Sequence, residues 1–116
     1  LNAPTEVVRK VARRGLNRLS RDEQRYIPPL AEIQTDDPAY RQVIQEIYEQ
    51  AHQGKGNSGD FERFFQAQVL WDETMADGIA RFVQANPDFQ VIVLAGQGHI
   101  AYGYGIPSRV ARRLDN

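Results

Sequence analysis

The sequence contains no cysteine and only two histidines among its 116 residues. Without cysteine the chain forms no disulfide, offers no thiolate to a metal and has no cysteine nucleophile. The two histidines, His52 and His99, are too far apart in the chain for a metal-ligand spacing. No serine lies in a G-x-S-x-G turn, so a serine-hydrolase triad is not predicted either.

Long apolar runs are also absent. No stretch approaches the roughly 18 residues of a membrane helix, and the opening LNAPTEVVRK lacks the hydrophobic region of a signal peptide. The formal net charge is only −1, but residues 1–25 hold seven Arg and Lys against three acids. This basic segment is interpreted as a solvated helix face, with contacts to phosphate, membrane or ligand carboxylates as the alternative. No aromatic residue is interleaved with its arginines, so nucleic-acid binding is not predicted.

The most apolar stretch of the chain ends abruptly in glycines and a histidine. Val91-Ile92-Val93-Leu94-Ala95 has no polar side chain, which is typical of a strand buried on both faces of a parallel sheet. Gly96-Gln97-Gly98-His99 follows directly, at the end of the strand where open α/β sheets bind their ligands. We therefore predict a buried strand near residues 90–95, part of a larger parallel sheet, with His99 on the loop beyond it.

Helical periodicity dominates the rest of the chain. It predicts four to five helices, so the expected fold class is a mostly helical α/β protein. A cap-and-proline signal opens a helix over about 37–52, and the longest helix is predicted over about 61–84. Ile106-Pro107 begins a last short helix, in which Val110 and Leu114 are expected to face inward and the arginines to remain on the polar side.

Two polar residues interrupt the apolar stripe of the longest predicted helix. At 3.6 residues per turn, Gln68 and Asp72 fall at the centre of the stripe, whereas Glu73 falls on the opposite, polar side. A buried carboxylate without partners would cost several kcal/mol, so Gln68 and Asp72 are expected to be buried, hydrogen-bonded and close to the Gly96–His99 loop. Two interpretations stay open: a structural bond to the loop backbone, or the lining of a ligand pocket.

The glycine-rich loop itself fits several kinds of site. Residues 96–101 match the G-x-G-x-x-A dinucleotide fingerprint, but the glycines and the proline that follow argue against the helix that this fingerprint requires. His99, Tyr102 and Tyr104 offer the nitrogen and phenolate oxygen atoms that ligate haem iron. Apolar walls with a few arginines also suit a porphyrin and its propionates. Composition alone leaves haem as one option among several.

Two segments resemble a known family: FFQAQVLWDETMADGIA in the longest predicted helix and VIVLAGQGHIAYGYGIPSRV after it. They are similar to the ChaN-like haem-binding family, also described as iron-regulated lipoproteins, and the resemblance covers essentially the whole chain. It implies an α/β domain that binds haem as a dimer, with tyrosine on the iron and with basic and histidine groups on the propionates. It also implies a bacterial cell-envelope protein that meets the membrane only through a lipoprotein anchor.

The expected function is haem binding in iron or haem uptake, by a binding protein rather than an enzyme. In the resembling family a first half with its own histidine motif precedes the matching segment. Residues 1–116 are therefore expected to be one domain, the carboxy-terminal part of a larger α/β haem-binding domain. The alternatives are a remnant of a metal-dependent hydrolase of the G-x-x-H superfamily and a non-catalytic helical interaction module.

The predicted site centres on His99, which is also the predicted metal ligand. No motif identifies the iron-binding tyrosine, and Tyr40, Tyr48, Tyr102 and Tyr104 all remain candidates. The residues expected to bind the cofactor are His99, Gly96, Gly98, Tyr104, Tyr48, Gln68 and Asp72.

Overall fold

The structure is a computed structural model that describes residues 2–52 and 58–115. Helices account for its regular elements, and short 3₁₀ turns at 16–18, 30–32 and 101–103 link some of them. The helices are α1 (Thr5–Arg14), α2 (Arg21–Gln24), α3 (Pro38–His52), α4 (Ser58–Ala85), α5 (Gln97–Ile100) and α6 (Ile106–Leu114).

Helix α4 is the axis of the molecule, and α1, α3 and α6 pack around it. Its apolar face is fully buried at Phe65, Val69 and Leu70. Val11 of α1 and Ile44 of α3 complete the core from two sides. Each such side chain contributes about 1.5–3 kcal/mol by leaving water, so the long helix is stabilised mainly by packing. The predicted long helix is confirmed, with slightly wider bounds.

The predicted cap of α3 is also confirmed. The side chain of Asp37 accepts hydrogen bonds from the backbone amides of Ala39 and Tyr40, at 3.0 and 3.3 Å. These bonds satisfy two of the amides that the first turn of a helix leaves unpaired. They also fix where α3 begins, and therefore where Tyr40 lies in its first turn.

The predicted strand is wrong, and so is the α/β class. Residues 90–95 are extended, but none of the residues in 2–52 and 58–115 forms a strand or a sheet. Ile92 and Leu94 are 80% and 94% exposed, whereas Val91 and Val93 line a cavity against α4 and α6. An apolar run becomes a strand only when a second strand pairs with its backbone, and the described chain provides none. The described fold is all-α.

The last helix is placed as predicted, but its inward face is different. Ile106 and Arg109 are buried, Val110 is half-buried and Leu114 is exposed. Glu73 of α4, expected on a polar surface, is 0% exposed because α6 packs there. The expectation for Leu114 and Glu73 is therefore wrong: ion pairing rather than apolar burial determines which side of α6 faces α4.

None of the helices in the described part of the chain combines the length and the apolar character needed to cross a membrane. The longest, α4, carries acidic and basic residues in both halves. Its length reflects its place at the centre of the helical packing.

Candidate functional site

Four side chains from three helices meet at one buried point. Tyr40 comes from α3, Gln68 and Asp72 come from successive turns of α4, and His99 comes from α5. We call these four residues the Asp72 cluster. The expectation that Gln68 and Asp72 are buried and lie against the histidine loop is confirmed, since both are buried and both contact His99.

Asp72 is the centre of the hydrogen bonding. Its Oδ1 atom lies 2.6 Å from Nδ1 of His99, and its Oδ2 atom accepts the hydroxyl of Tyr40. The same hydroxyl lies 3.1 Å from the carbonyl oxygen of Gly98 and accepts Nε2 of Gln68 at 3.2 Å. Asp72 is 0% exposed. A buried carboxylate needs partners for both oxygens, and here both have one.

This geometry determines the tautomer of His99. Because Nδ1 carries the proton that faces the Asp72 carboxylate, a neutral imidazole has its free lone pair on Nε2. Gln68 Nε2 lies 3.1 Å from the same Nδ1, but two donors do not bond each other, so this contact is packing. The His99 side chain is 19% exposed and meets the Trp71 ring edge-on, with 5.8 Å between ring centroids. Nε2 is therefore the nitrogen of a neutral imidazole that keeps a lone pair for a ligand or a proton.

Burial perturbs the two acids of the cluster in the same direction. It raises the pKa of Asp72, although the hydrogen bonds from His99 and Tyr40 oppose this shift. Burial, followed by the negative charge of Asp72, also raises the pKa of Tyr40. Tyr40 therefore stays a neutral donor to the carboxylate and is a poor candidate for a phenolate ligand of iron.

Gly105 allows the cluster to close. A Cβ atom at this position would lie 2.3 Å from the carbonyl oxygen of His99 and 3.0 Å from the hydroxyl of Tyr40. Only a residue without a side chain lets the start of α6 approach α5 so closely. In the sequence, Gly105 indicates only a loop, because its role depends on a contact with the His99 backbone that no local pattern encodes.

A second buried network holds α6 in place beside the cluster. Nη1 of Arg109 donates to the carbonyl oxygens of Tyr104 and Gly105 at 2.7 and 3.2 Å. Nη2 of Arg109 donates to the carbonyl oxygen of Gln34 at 2.9 Å. Its guanidinium also lies over the ring of Tyr40, 5.2 Å from the centroid. Arg109 thus connects the segment after His99 to the helix that carries Tyr40.

Glu73 balances the positive charge in this network. It lies 3.3 Å from Nε of Arg109, 2.8 Å from Nη2 of Arg112 and 2.7 Å from Nη1 of Arg113. Burial alone would raise the pKa of Glu73, but the hydrogen bonds from Arg112, the Gln34 amide and Arg113 lower it below its usual value. Glu73 is therefore a charged structural residue. It follows Asp72 in the sequence, but its side chain faces the arginines of α6.

The structure does not bring every predicted residue to the cluster. Tyr48 is buried among aromatic rings and stacks on His52, with 4.1 Å between centroids. Tyr104 is half-buried, 6.5 Å from Tyr40 and 5.8 Å from Tyr102 between centroids. Tyr102 is exposed and has a positive φ of 57°, uncommon for a residue with a side chain. Tyr102 and Tyr104 thus remain near His99, and Tyr48 does not.

The glycines before His99 serve the local turn. Gly96 precedes the single turn of α5, and a Cβ atom there would meet only Cδ2 of His99 at 3.7 Å. A Cβ atom on Gly98 would lie 3.5 Å from Nε2 of Gln68. Both distances are ordinary contacts, so neither position requires glycine for space. The structure brings both residues beside the cluster.

Two cavities lie beside the cluster. One of about 670 Å³ separates α3 from residues 97–104, and both Tyr102 and Tyr104 line it. The other, of about 330 Å³, lies between α1 and α4 and is almost entirely apolar. Gln68 and Trp71 form part of its wall, and Arg9 supplies a positive charge. Open apolar space with a few polar groups is typical of small-molecule sites.

His99 and the nearby tyrosines are the side chains in this region that could each give one donor atom to a metal. Within residues 2–52 and 58–115, no three His, Cys, Asp or Glu side chains come together in a way that could hold a metal ion. Zinc sites use three or four protein ligands, whereas Mg²⁺ keeps several waters and often takes only one or two carboxylates. A porphyrin supplies four nitrogens to its iron, so one histidine or tyrosine is enough.

Comparison with known proteins identifies the class. Residues 1–110 match the family model described as haem-binding uptake, Tiki superfamily, ChaN. The chain therefore belongs to the ChaN family of haem-binding uptake proteins, and the resemblance seen in the sequence is confirmed. No curated protein and no solved structure matches the chain.

Proposed function

We propose that this protein binds haem at the Asp72 cluster, with Nε2 of His99 as a ligand of the iron. The observation that carries the proposal is the 2.6 Å contact between Nδ1 of His99 and Asp72. Histidines that bind metals commonly donate their other ring nitrogen to a carboxylate, which fixes the ring and makes the ligand more basic. Family membership supplies the cofactor class.

The surroundings of His99 support the proposal. Trp71, Val8 and Phe64 give the smaller cavity an apolar wall for the porphyrin, and Arg9 offers a positive charge to a propionate. Tyr104 and the neighbouring Tyr102 provide aromatic surface and a phenol oxygen on the side of the larger cavity. Gly96 and Gly98 lie in the turn that carries His99 and contribute only their backbone to it. Tyr48 stays a prediction without a contact to this site.

The test is a hemin titration followed by visible spectroscopy. The wild-type chain should shift and sharpen the Soret band on binding, and His99→Ala should lose that shift because the iron loses its nitrogen ligand. His52→Ala is the matched control, since His52 is the other histidine and lies against Tyr48. The proposal fails if hemin leaves the spectrum unchanged, or if His99→Ala and His52→Ala titrate like the wild type.

The same geometry supports a second function, general-base catalysis by a hydrolase of the superfamily. A carboxylate that holds Nδ1 of a histidine leaves Nε2 to accept a proton from water. Hydrolysis of a simple aryl ester or peptide, stimulated by a divalent metal and lost in His99→Ala, would favour it. A chain that neither binds hemin nor hydrolyses any ester would leave the helical interaction module.

We also propose, from family resemblance alone, that the protein acts as a dimer in haem uptake at the bacterial cell envelope. Light scattering with and without hemin measures the mass directly. A mass of one chain under both conditions would contradict the dimer without affecting the proposal for His99.

A further inference from the structure

The smaller cavity, between α1 and α4, has a buried apolar end and an exposed charged end. Its volume is about 330 Å³, which is in the usual range of small-molecule sites. Val8 and Ala67 line the cavity and are buried, whereas Arg9 and Ala12 line it and are exposed. Ala12 and Ala67 have the shortest side chains of the lining, so the two helices do not fill the space between them.

The charge at the exposed end is positive and unpaired. Arg9 is the one charged residue among the described residues that line the cavity, and none of the ion pairs in the described part of the chain includes it. Residues 1–25 hold seven Arg and Lys against three acids, and two of these acids already pair with Lys10 and Arg25. An excess of one charge beside an apolar cavity attracts ligands of the opposite charge.

We infer that this cavity binds a small monocarboxylate with an apolar body, such as a medium-chain fatty acid. The body lies between α1 and α4, where the walls offer almost no partner to a polar group and disfavour its burial. The carboxylate pairs with the guanidinium of Arg9 through charge-assisted hydrogen bonds. The ligand uses the wall at which the porphyrin is proposed to lie, but its binding needs neither iron nor His99.

Trp71 makes occupation of the cavity measurable. It is the only tryptophan of the chain, and its side chain forms part of the apolar wall together with Phe64. Indole emission depends on the solvent around the ring, so a ligand that covers this wall changes the emission. The intrinsic fluorescence of the protein therefore reports directly on this cavity.

The experiment titrates the whole chain with octanoate, without hemin, and records the emission of Trp71. The emission should change and saturate as the ligand displaces water from the wall. Each methylene removed from the ligand should weaken binding by about fourfold, so acetate should bind far more weakly than octanoate. Octylammonium has the same chain with the opposite charge, and it should bind at least about tenfold more weakly because Arg9 repels it.

Two arginine variants separate a direct contact from an effect of net charge. Arg9→Gln should weaken octanoate binding by about tenfold, because the carboxylate loses its charged partner. Arg13→Gln is the matched control, since it removes the same charge one turn further along α1, from an exposed residue outside the cavity lining. At physiological salt its affinity should stay within about twofold of the wild type. Circular dichroism confirms that both variants are folded.

Different results refute different steps. Unchanged emission at every octanoate concentration overturns the inference. Equal binding of octylammonium, or an equal loss in Arg13→Gln, also overturns it, because Arg9 would then not select the carboxylate. A wild-type chain that binds octanoate but no hemin refutes the proposed function alone, and one that binds hemin but no octanoate refutes this inference alone.

Discussion

Gly105→Ala should damage the site through sterics alone. The added Cβ atom would lie 2.3 Å from the carbonyl oxygen of His99 and 2.9 Å from its carbonyl carbon. Both atoms belong to the backbone, so no side-chain rotation removes the clash. Restoring an ordinary contact requires a displacement of about 1 Å between the start of α6 and α5. The side chains of a binding site must be held within about 0.5 Å of the geometry that binds the ligand.

The expected cost follows from this displacement. Overpacking a well-packed interior costs about 1–3 kcal/mol, which lowers the melting temperature of a domain of this size by several degrees per 1 kcal/mol. Hemin affinity should fall by about tenfold or more, because the displaced backbone carries His99 and moves it away from Asp72. Urea denaturation measures the free energy of unfolding, and a hemin titration measures the affinity.

Two other glycines in the same turn provide the controls. Gly96→Ala and Gly98→Ala place their Cβ atoms 3.7 and 3.5 Å from the nearest side-chain atoms, at ordinary contact distance. Neither glycine has a positive φ, so both variants should keep wild-type stability and hemin affinity. The reasoning fails if Gly105→Ala behaves like these two variants, or if all three lose hemin equally.

Three further predictions concern the buried polar residues. Glu73→Gln should lower the free energy of unfolding by about 3–5 kcal/mol, because it leaves buried arginine charges unpaired, and urea denaturation checks this. Because folding lowers the pKa of the Glu73 carboxyl, this group stabilises the fold above its unfolded pKa. That stabilisation is lost as the pH falls through the folded pKa. The acid limb of a plot of unfolding free energy against pH should therefore be flatter in Glu73→Gln. Tyr40→Phe should lower the free energy of unfolding by about 1–3 kcal/mol, since Oδ2 of Asp72 loses its hydrogen-bond donor. A urea denaturation curve identical to that of the wild type would contradict the buried hydrogen bond.

The burial of Gln68 and Asp72 could be predicted because it depends on local periodicity. A helix turns by about 100° per residue, so the sequence alone places both residues at the centre of an apolar face. Their position close to His99 could be predicted because a buried carboxylate needs hydrogen-bond partners. What could not be predicted is the third partner, Tyr40. Its contact depends on how α3 crosses α4, which is set by packing rather than by the pattern of either helix.

The predicted strand is wrong because a strand depends on a pairing partner and not only on local periodicity. The run from Val91 to Ala95 has the composition of a buried strand, but composition does not provide the partner whose backbone must form the ladder. In the described chain this run is extended, with Ile92 and Leu94 exposed. The prediction for Glu73 was wrong because a polar helix face is expected to be exposed to water. Here the arginines of α6 cover that face. Both errors concern long-range partners.

Asp72 and Glu73 show how one helix separates two uses of a buried carboxylate. They are adjacent and both 0% exposed, yet the turn of the helix points them about 100° apart. Glu73 faces the arginines of α6, which lower its pKa, whereas Asp72 faces Tyr40 and His99 and burial raises its pKa.

The Glu73 carboxylate therefore holds α6 against α4 through its arginines, and the Asp72 carboxylate holds His99. A double-mutant cycle on Asp72→Asn and Glu73→Gln tests this division. Adjacent residues usually couple by more than about 0.5 kcal/mol, so a smaller coupling between the two effects on unfolding would show that the networks act separately. Strong coupling in stability would mean that the two networks form a single unit.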